Sequence, residues 1–213
     1  MIKKSSIILS PIGAMSGTDL AWKRTFDVVL SSLILLLTLP LSALAALAIA
    51  LEDGGPILAT RIRIGHHGRR FELLSFRTLR IDADLAARNG DRDDNEAELT
   101  LVGGFLKFCR IDDIPQLLNI IAGDMSLIGP KPVSARLRNV WTQRLPLFEN
   151  RYAVKPGLIG CTRDRYPDAE SLAEARDMLK YDLDYVARQS LAEDFAILAS
   201  TVTDPRWLQS EDA

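Results

Sequence analysis

Asp112 and Asp113 stand side by side just before Pro115 and an apolar run, Leu117, Leu118, Ile120 and Ile121, that Gly123 closes. This pattern predicts a short helix with both acids at its N-terminus. A helix N-terminus favours ionised carboxylates and offers backbone N–H groups to phosphate, so the spot suits a nucleophile or a metal ligand beside an anionic substrate. Taken alone, the same residues also describe an N-cap, Asp113, with Asp112 as its first-turn dipole partner. The sequence contains no competing chemistry. The two cysteines, Cys109 and Cys161, make neither a disulfide framework nor a metal set, and they fit a reducing compartment. His66 and His67 are adjacent, so a strand would point them to opposite faces; they read as turn residues rather than metal ligands.

The element that must bring these groups to a substrate is apolar. Residues 28–51 carry no charge over about two dozen positions, which meets the length of a helix that could cross a bilayer. Basic residues flank it on both sides, Lys23 and Arg24 before and Arg61, Arg63, Arg69, Arg70, Arg77 and Arg80 after, so a spanning helix would leave one basic flank outside. Pro40 sits near the middle, and each half of about a dozen residues rises only about 18 Å, short of the hydrocarbon thickness. These observations together predict a re-entrant helix-break-helix with both ends cytoplasmic and Pro40 as the membrane break. A kinked transmembrane helix is the alternative, because long following domains translocate regardless of charge.

The remainder supplies a small folded unit. After the turn residues Glu52-Asp53-Gly54-Gly55-Pro56, segments 57–64 and 70–76 show partial alternation around Gly65-His66-His67-Gly68 and predict a β-hairpin, its arginines on one face toward water or lipid headgroups, worth about 1 kcal/mol each beside anionic lipid. Residues 81–100 predict a helix followed by a solvated acidic loop. A further helical stretch runs past Pro132 to about residue 150, and Leu172, Ala175, Leu179, Leu183 and Val186 recur at helical spacing in the first of a C-terminal helix pair. The expected fold class is therefore α+β and mainly helical: a flexible tail over 1–20, the re-entrant hairpin over 21–52, a cytosolic catalytic core over 53–165 and a C-terminal helical segment over 166–213 packed on it. A chain of 213 residues with 47% hydrophobic content can bury such a core, and a net charge of -2 argues against nucleic acid as the main partner.

From Ile111 to Pro132 the chain reads Ile-Asp-Asp-Ile-Pro-Gln-Leu-Leu-Asn-Ile-Ile-Ala-Gly-Asp-Met-Ser-Leu-Ile-Gly-Pro-Lys-Pro. This resembles the signature of the bacterial sugar transferases that are small monotopic phosphoglycosyl transferases, in which Leu-Asp-Glu-Leu-Pro-Gln-Leu is followed by Gly-Asp-Met-Ser and Gly-Pro-Arg-Pro. Other segments are similar to the family too. Lys23-Arg24-x-Phe26-Asp27 and the mid-segment proline resemble its membrane hairpin, and Ser75-Phe76-Arg77-Thr78-Leu79 resembles its Lys-Phe-Arg-Thr-Met. Arg151-Tyr152-Ala153-Val154-Lys155-Pro156-Gly157 resembles Arg-Tyr-x-Val-Lys-Pro-Gly, and Tyr181-Asp182-Leu183-x-Tyr185 and Ser190-Leu191-x-x-Asp194 resemble its C-terminal pattern.

The resemblance implies transfer of a phosphosugar from a UDP-sugar to a polyprenol phosphate, normally undecaprenyl phosphate, with release of UMP, as the initiating step of exopolysaccharide synthesis. It implies that Asp112 attacks the β-phosphate and forms a covalent phosphosugar intermediate, with Mg2+ held by Asp112 and Asp113 and with Arg77, Lys107 and Lys131 as the cations around the phosphates. It also implies a location at the cytoplasmic face of the bacterial inner membrane, among membrane lipid, and leaves a homodimer open. The departures from the pattern that bear on activity are Asp113 for glutamate, Lys107 for arginine, Ser75 for lysine, and Cys161-Thr162-Arg163 where the family has a glutamine. Lysine keeps the charge of arginine but loses its two-pronged geometry. The departures define a second reading, a weak or inactive relative that serves as a membrane-bound assembly or regulatory partner in polysaccharide synthesis.

Overall fold

Ser16 starts the first described helix, its hydroxyl accepting the Asp19 N–H at 3.2 Å, so α1 (Gly17–Leu37) begins inside the segment expected to be tail. α2 (Leu39–Glu52) follows at once, and the two helices are bent by 61°. The break centres on Thr38, whose hydroxyl turns back to the Ile34 carbonyl at 2.8 Å. Pro40 lies in the first turn of α2, where its missing N–H is not needed and where its ring bars a continuous helix. No single described helix is long and apolar enough to cross a bilayer; the bent pair meets that test only together. Leu33, Leu36, Leu37, Leu39, Leu44 and Leu47 are exposed, an apolar surface left uncovered among the described residues. The computed structural model describes residues 16–89, 99–161 and 171–203. The body of the expected tail, the acidic loop after Asn89, Thr162-Arg163 and the stretch from 204 onward lie outside the described residues.

β1 (Leu58–Ile64) and β2 (Arg70–Phe76) pair antiparallel, Leu58 opposite Phe76 and Ile64 opposite Arg70, through a tight turn at His66–Gly68, as the alternation predicts. The arginines do not all share one solvated face. Arg61 is paired at 2.6 Å with Asp84 of α3 (Ile81–Asn89), and both side chains are largely buried. α4 (Leu101–Phe108) and α5 (Gln116–Ala122) come next, then β3 (Ser126–Gly129), α6 (Ala135–Arg144), a 3-10 segment at Phe148–Ala153, β4 (Gly157–Gly160), and the C-terminal pair α7 (Leu172–Arg188) and α8 (Leu191–Thr203). β3 and β4 form a parallel pair that the sequence pattern does not announce, with Ser126 opposite Gly157 and Gly129 opposite Gly160. A Cβ at Gly157 would stand 2.1 Å from the Gly129 nitrogen, so the two backbones meet only because both positions lack side chains.

Three apolar clusters, apart from a small one of Leu79 and Ala83, hold these elements. Trp141, Phe148, Tyr152, Met178 and Leu179 join α6, the 3-10 segment and α7. Leu117, Ile120, Met125, Ile128, Tyr185 and Ile197 join α5, β3, α7 and α8, with Phe26, Leu30 and Ile34 of α1 against them. The third is the one that matters for chemistry: Ala45 and Ile49 of α2 pack with Phe76 and Leu106, and Ile111 and Ile114 close over them. Ile114 touches the second cluster as well, so the residues flanking the acid pair sit where two cores join.

Candidate active site

The path from the membrane helices to the acids is short. Glu52, the last residue of α2, accepts the N–H groups of Leu101 and Val102 at 2.7 and 2.9 Å and so caps the start of α4 together with Thr100. α4 then lies flush on the chain at Thr78: a Cβ on Gly103 would stand 2.0 Å from the Thr78 carbonyl oxygen. The helix ends in a double reversal, Arg110 N–H to Lys107 C=O at 3.0 Å and Ile111 N–H to Leu106 C=O at 2.9 Å, with Arg110 in the left-handed region at φ 54. The next residue is Asp112, whose carbonyl accepts the Phe76 N–H of β2 at 2.9 Å.

α5 begins later than the residue pattern predicts. Pro115 is its N-cap, and both acids occupy the turn before it rather than its first turn. Asp113 is tied to the helix twice, its carbonyl accepting the Gln116 N–H at 3.0 Å and its carboxylate accepting from the Gln116 side-chain amide. Gly123 ends α5 at φ 103, as expected. Asn119, buried in the middle, donates to the Glu72 carbonyl at 2.7 Å and accepts the Leu74 N–H at 2.9 Å, which fixes α5 across the edge of β2. Glu52, Gln116 and Asn119 are the positioning residues that sequence reasoning missed: the partners of Glu52 and Asn119 lie dozens of residues away, where nothing local reveals them, and Gln116 was read only as part of a motif.

The electrostatics also differ from the helix-dipole expectation. Burial and the neighbouring Asp113 push the Asp112 carboxyl up to about 7, while Lys107 and Arg110 pull the other way. Two adjacent acids out of bulk water resist ionising together, and a cation between them relieves that cost. Among the described residues no group of three or more His, Cys, Asp or Glu side chains could hold a metal by itself. The pair nevertheless suits Mg2+, which takes one or two carboxylates and draws its other ligands from phosphates and water.

Of the three predicted cations, Lys107 bears on Asp112. Arg77 is buried at 1% exposure and turned to the exit of α2, donating to the Gly54 carbonyl at 2.5 Å with the Asp53 carboxylate 3.5 Å away. Lys131 lines a narrow crevice with Ile64, Arg151, Tyr152 and Pro156, and its carbonyl accepts from Arg151 at 2.7 Å. Lys23 and Arg24, read from sequence as part of a basic membrane flank, are used inside the protein. Lys23 is paired with Asp194 and lies 4.0 Å from Asp27, which accepts from Ser126 at 2.8 Å, while Arg24 holds the Ile120 and Ile121 carbonyls at 2.5 and 2.8 Å. Those two cations therefore add nothing to a positive-inside argument.

Comparison with known proteins bears on this arrangement directly. Residues 18–205 match the model of the family described as bacterial sugar transferase. The chain belongs to that family. It is 37% identical over 198 residues to a UDP-glucose:undecaprenyl-phosphate glucose-1-phosphate transferase of Caulobacter vibrioides, covering 90% of this chain and 71% of that protein. It is 30% identical to the protein of the same description in Escherichia coli, covering 88% of this chain but only 41% of that longer protein. An exopolysaccharide production protein of Rhizobium meliloti is 33% identical, with 90% of this chain and 86% of the relative covered. In this bacterial sugar transferase the Asp112–Asp113 pair sits on a frame in which every neighbouring element, α2, α4, β2 and α5, is fixed by a named hydrogen bond or core contact.

Proposed function

We propose that this membrane-associated chain transfers a sugar 1-phosphate from a UDP-sugar to undecaprenyl phosphate, releasing UMP, as the first committed step of exopolysaccharide assembly. The named relatives support the substrates: glucose-1-phosphate transferases acting on UDP-glucose and undecaprenyl phosphate, and an exopolysaccharide production protein. The observation that carries the reading is the packing of Ile111 and Ile114 against Ala45 and Ile49, which roots the acid pair on the apolar bent helices. A site rooted there meets a lipid phosphate at the bilayer surface and a nucleotide sugar from water. We assign the helix pair as re-entrant, both ends on the cytoplasmic face of the inner membrane.

In the reaction, an Asp112 carboxylate oxygen attacks the β-phosphorus of the UDP-sugar. The bond from that phosphorus to the bridging oxygen breaks, and UMP leaves with the electron pair. The polyprenol phosphate oxygen then attacks the same phosphorus and releases the Asp112 carboxylate. Two displacements let one small site serve both substrates in turn. Asp113, oriented by Gln116, holds the second carboxylate beside the nucleophile, and Lys107 offsets charge on the incoming phosphates. Mg2+, held by Asp112 and Asp113, would neutralise phosphate charge and lower repulsion toward a carboxylate nucleophile. The test is a panel of UDP-sugars with membrane-embedded protein and radiolabelled undecaprenyl phosphate. Lipid-linked sugar diphosphate with stoichiometric UMP supports the assignment, and no product from any donor refutes it. Topology is checked separately by single cysteines at Ser16 and Leu51 in a Cys-free background: both are expected to react only from the cytoplasmic side, and periplasmic labelling of either in intact cells rules out re-entry.

A further inference from the structure

Arg110 holds a conformation that its residue type does not favour. At φ 54 it is one of two non-glycine residues with positive φ among the described residues, and it occupies the position after a helix end where glycine is the usual choice. A strained residue persists where the surrounding structure over-determines it, and such residues collect at binding and catalytic sites. Here the determinants are visible: the Arg110 N–H is tied to the Lys107 carbonyl at 3.0 Å, and the Ile111 N–H to the Leu106 carbonyl at 2.9 Å, with Ile111 anchored in the core. The chain is thereby reversed between Lys107 and Asp112, and the two basic residues on either side of the reversal stay exposed. The reversal sets both on the exposed turn that leads directly into Asp112, whereas Arg77 is turned inward toward Gly54.

The two residues complement each other chemically. Lys107 stands where the family resemblance places an arginine, and an ammonium cannot grip two phosphate oxygens with fixed geometry. A guanidinium does so with parallel N–H donors, so an arginine one reversal away replaces the missing fork. We propose that Arg110 is a donor-binding residue of this site, its guanidinium taking two oxygens of the nucleotide diphosphate beside Lys107. This rests on the phosphosugar transfer proposed above. Its left-handed backbone fits that role: the tight reversal sets Arg110 two residues before Asp112, and glycine, which fits the reversal better, carries no guanidinium.

The experiment is UDP binding to the full chain in lipid nanodiscs with Mg2+, by titration calorimetry, for wild type, Arg110→Gly, Arg110→Lys and Arg110→Asn, with thermal melts of each. Arg110→Gly is expected to melt no lower than wild type yet to bind UDP at least tenfold more weakly. Arg110→Lys should recover part of that loss and Arg110→Asn, which tolerates the backbone, none of it. Steady-state assays should show the loss in KM for the UDP-sugar with kcat little changed. Equal UDP affinity of Arg110→Gly and wild type, a loss that tracks a lowered melting temperature, or no UDP binding by wild type overturns the proposal. Intact UDP binding lost in Arg110→Gly, in a wild type that transfers no sugar, would refute the transfer reading and leave Arg110 as a diphosphate ligand.

Discussion

Lys23 and Arg24 at the base of α1, and Lys107 and Arg110 at the end of α4, are both pairs of cations set among carboxylates or carbonyls, but they are treated in opposite ways. Lys23 is 5% exposed, its ammonium held by Asp194 and near Asp27, and those acids are held in turn by Tyr185, Ser126 and the Leu127 N–H. Every charge in that network has an opposite or a donor against it, as a buried charge must. At the end of α4 the cations are exposed, and the Asp112 carboxyl that they draw toward its charged form is pushed the other way by burial and the adjacent Asp113. The first network joins α1 to β3, α7 and α8; the second is where the proposed function puts a charged substrate, since perturbed carboxyls gather at such sites.

The largest expected effect separates the two pairs by stability. Lys23→Met leaves Asp194 and Asp27 buried without their cation and should lower unfolding stability by about 3–5 kcal/mol, measured by thermal or denaturant melts in detergent. Lys107→Met should leave the melt within about 0.5 kcal/mol of wild type, as surface changes do, while reducing transfer. Similar melts for the two variants would erase the distinction.

The next effect lies within the acidic turn. Asp113→Ala should reduce turnover by about 100-fold or more, the scale of losing one electrostatic group at a reacting centre, whereas Asp113→Glu, which restores the family residue, should keep or raise it. Wild-type turnover in Asp113→Ala would make Asp113 a tether for Gln116 and nothing more.

A smaller effect concerns pH. The Asp112 carboxyl is raised from 3.8 to about 7 in the fold, so as pH rises through that window the unfolded chain ionises first and stability falls. In chelator, Asp112→Asn should therefore melt above wild type at pH 8, and the difference should shrink toward pH 4. A pH-independent difference would show that Asp112 is an ordinary carboxylate.

How much of this was readable in the residues divides along the same line. The acid pair, the hairpin, the bent apolar segment and the helical C-terminus are local patterns, and spacing alone announces them. The start of α5 was misjudged because proline is favoured both as the first helical residue and just outside it, and here Pro115 is the cap. What stayed hidden needs a partner far along the chain: Glu52 on α4, Asn119 on β2, Lys23 on Asp194 and Arg77 at Gly54. The β3–β4 pair joins four-residue strands rich in glycine, with no alternation to read. Arg110 escaped notice because the usual mark of a left-handed helix end is glycine, and arginine carries no such mark.

The most direct test of the central claim, that Asp112 is the nucleophile, omits the lipid. Protein incubated with UDP-sugar and Mg2+ but no polyprenol phosphate, then trapped and digested, should carry one phosphosugar on Asp112 by mass spectrometry, with UMP released in amounts limited by the enzyme. Asp112→Asn should fold, remain with the membrane and carry none. A fully active Asp112→Asn variant, or wild-type turnover with no adduct on any carboxylate, would contradict the account and leave direct transfer between the two substrates.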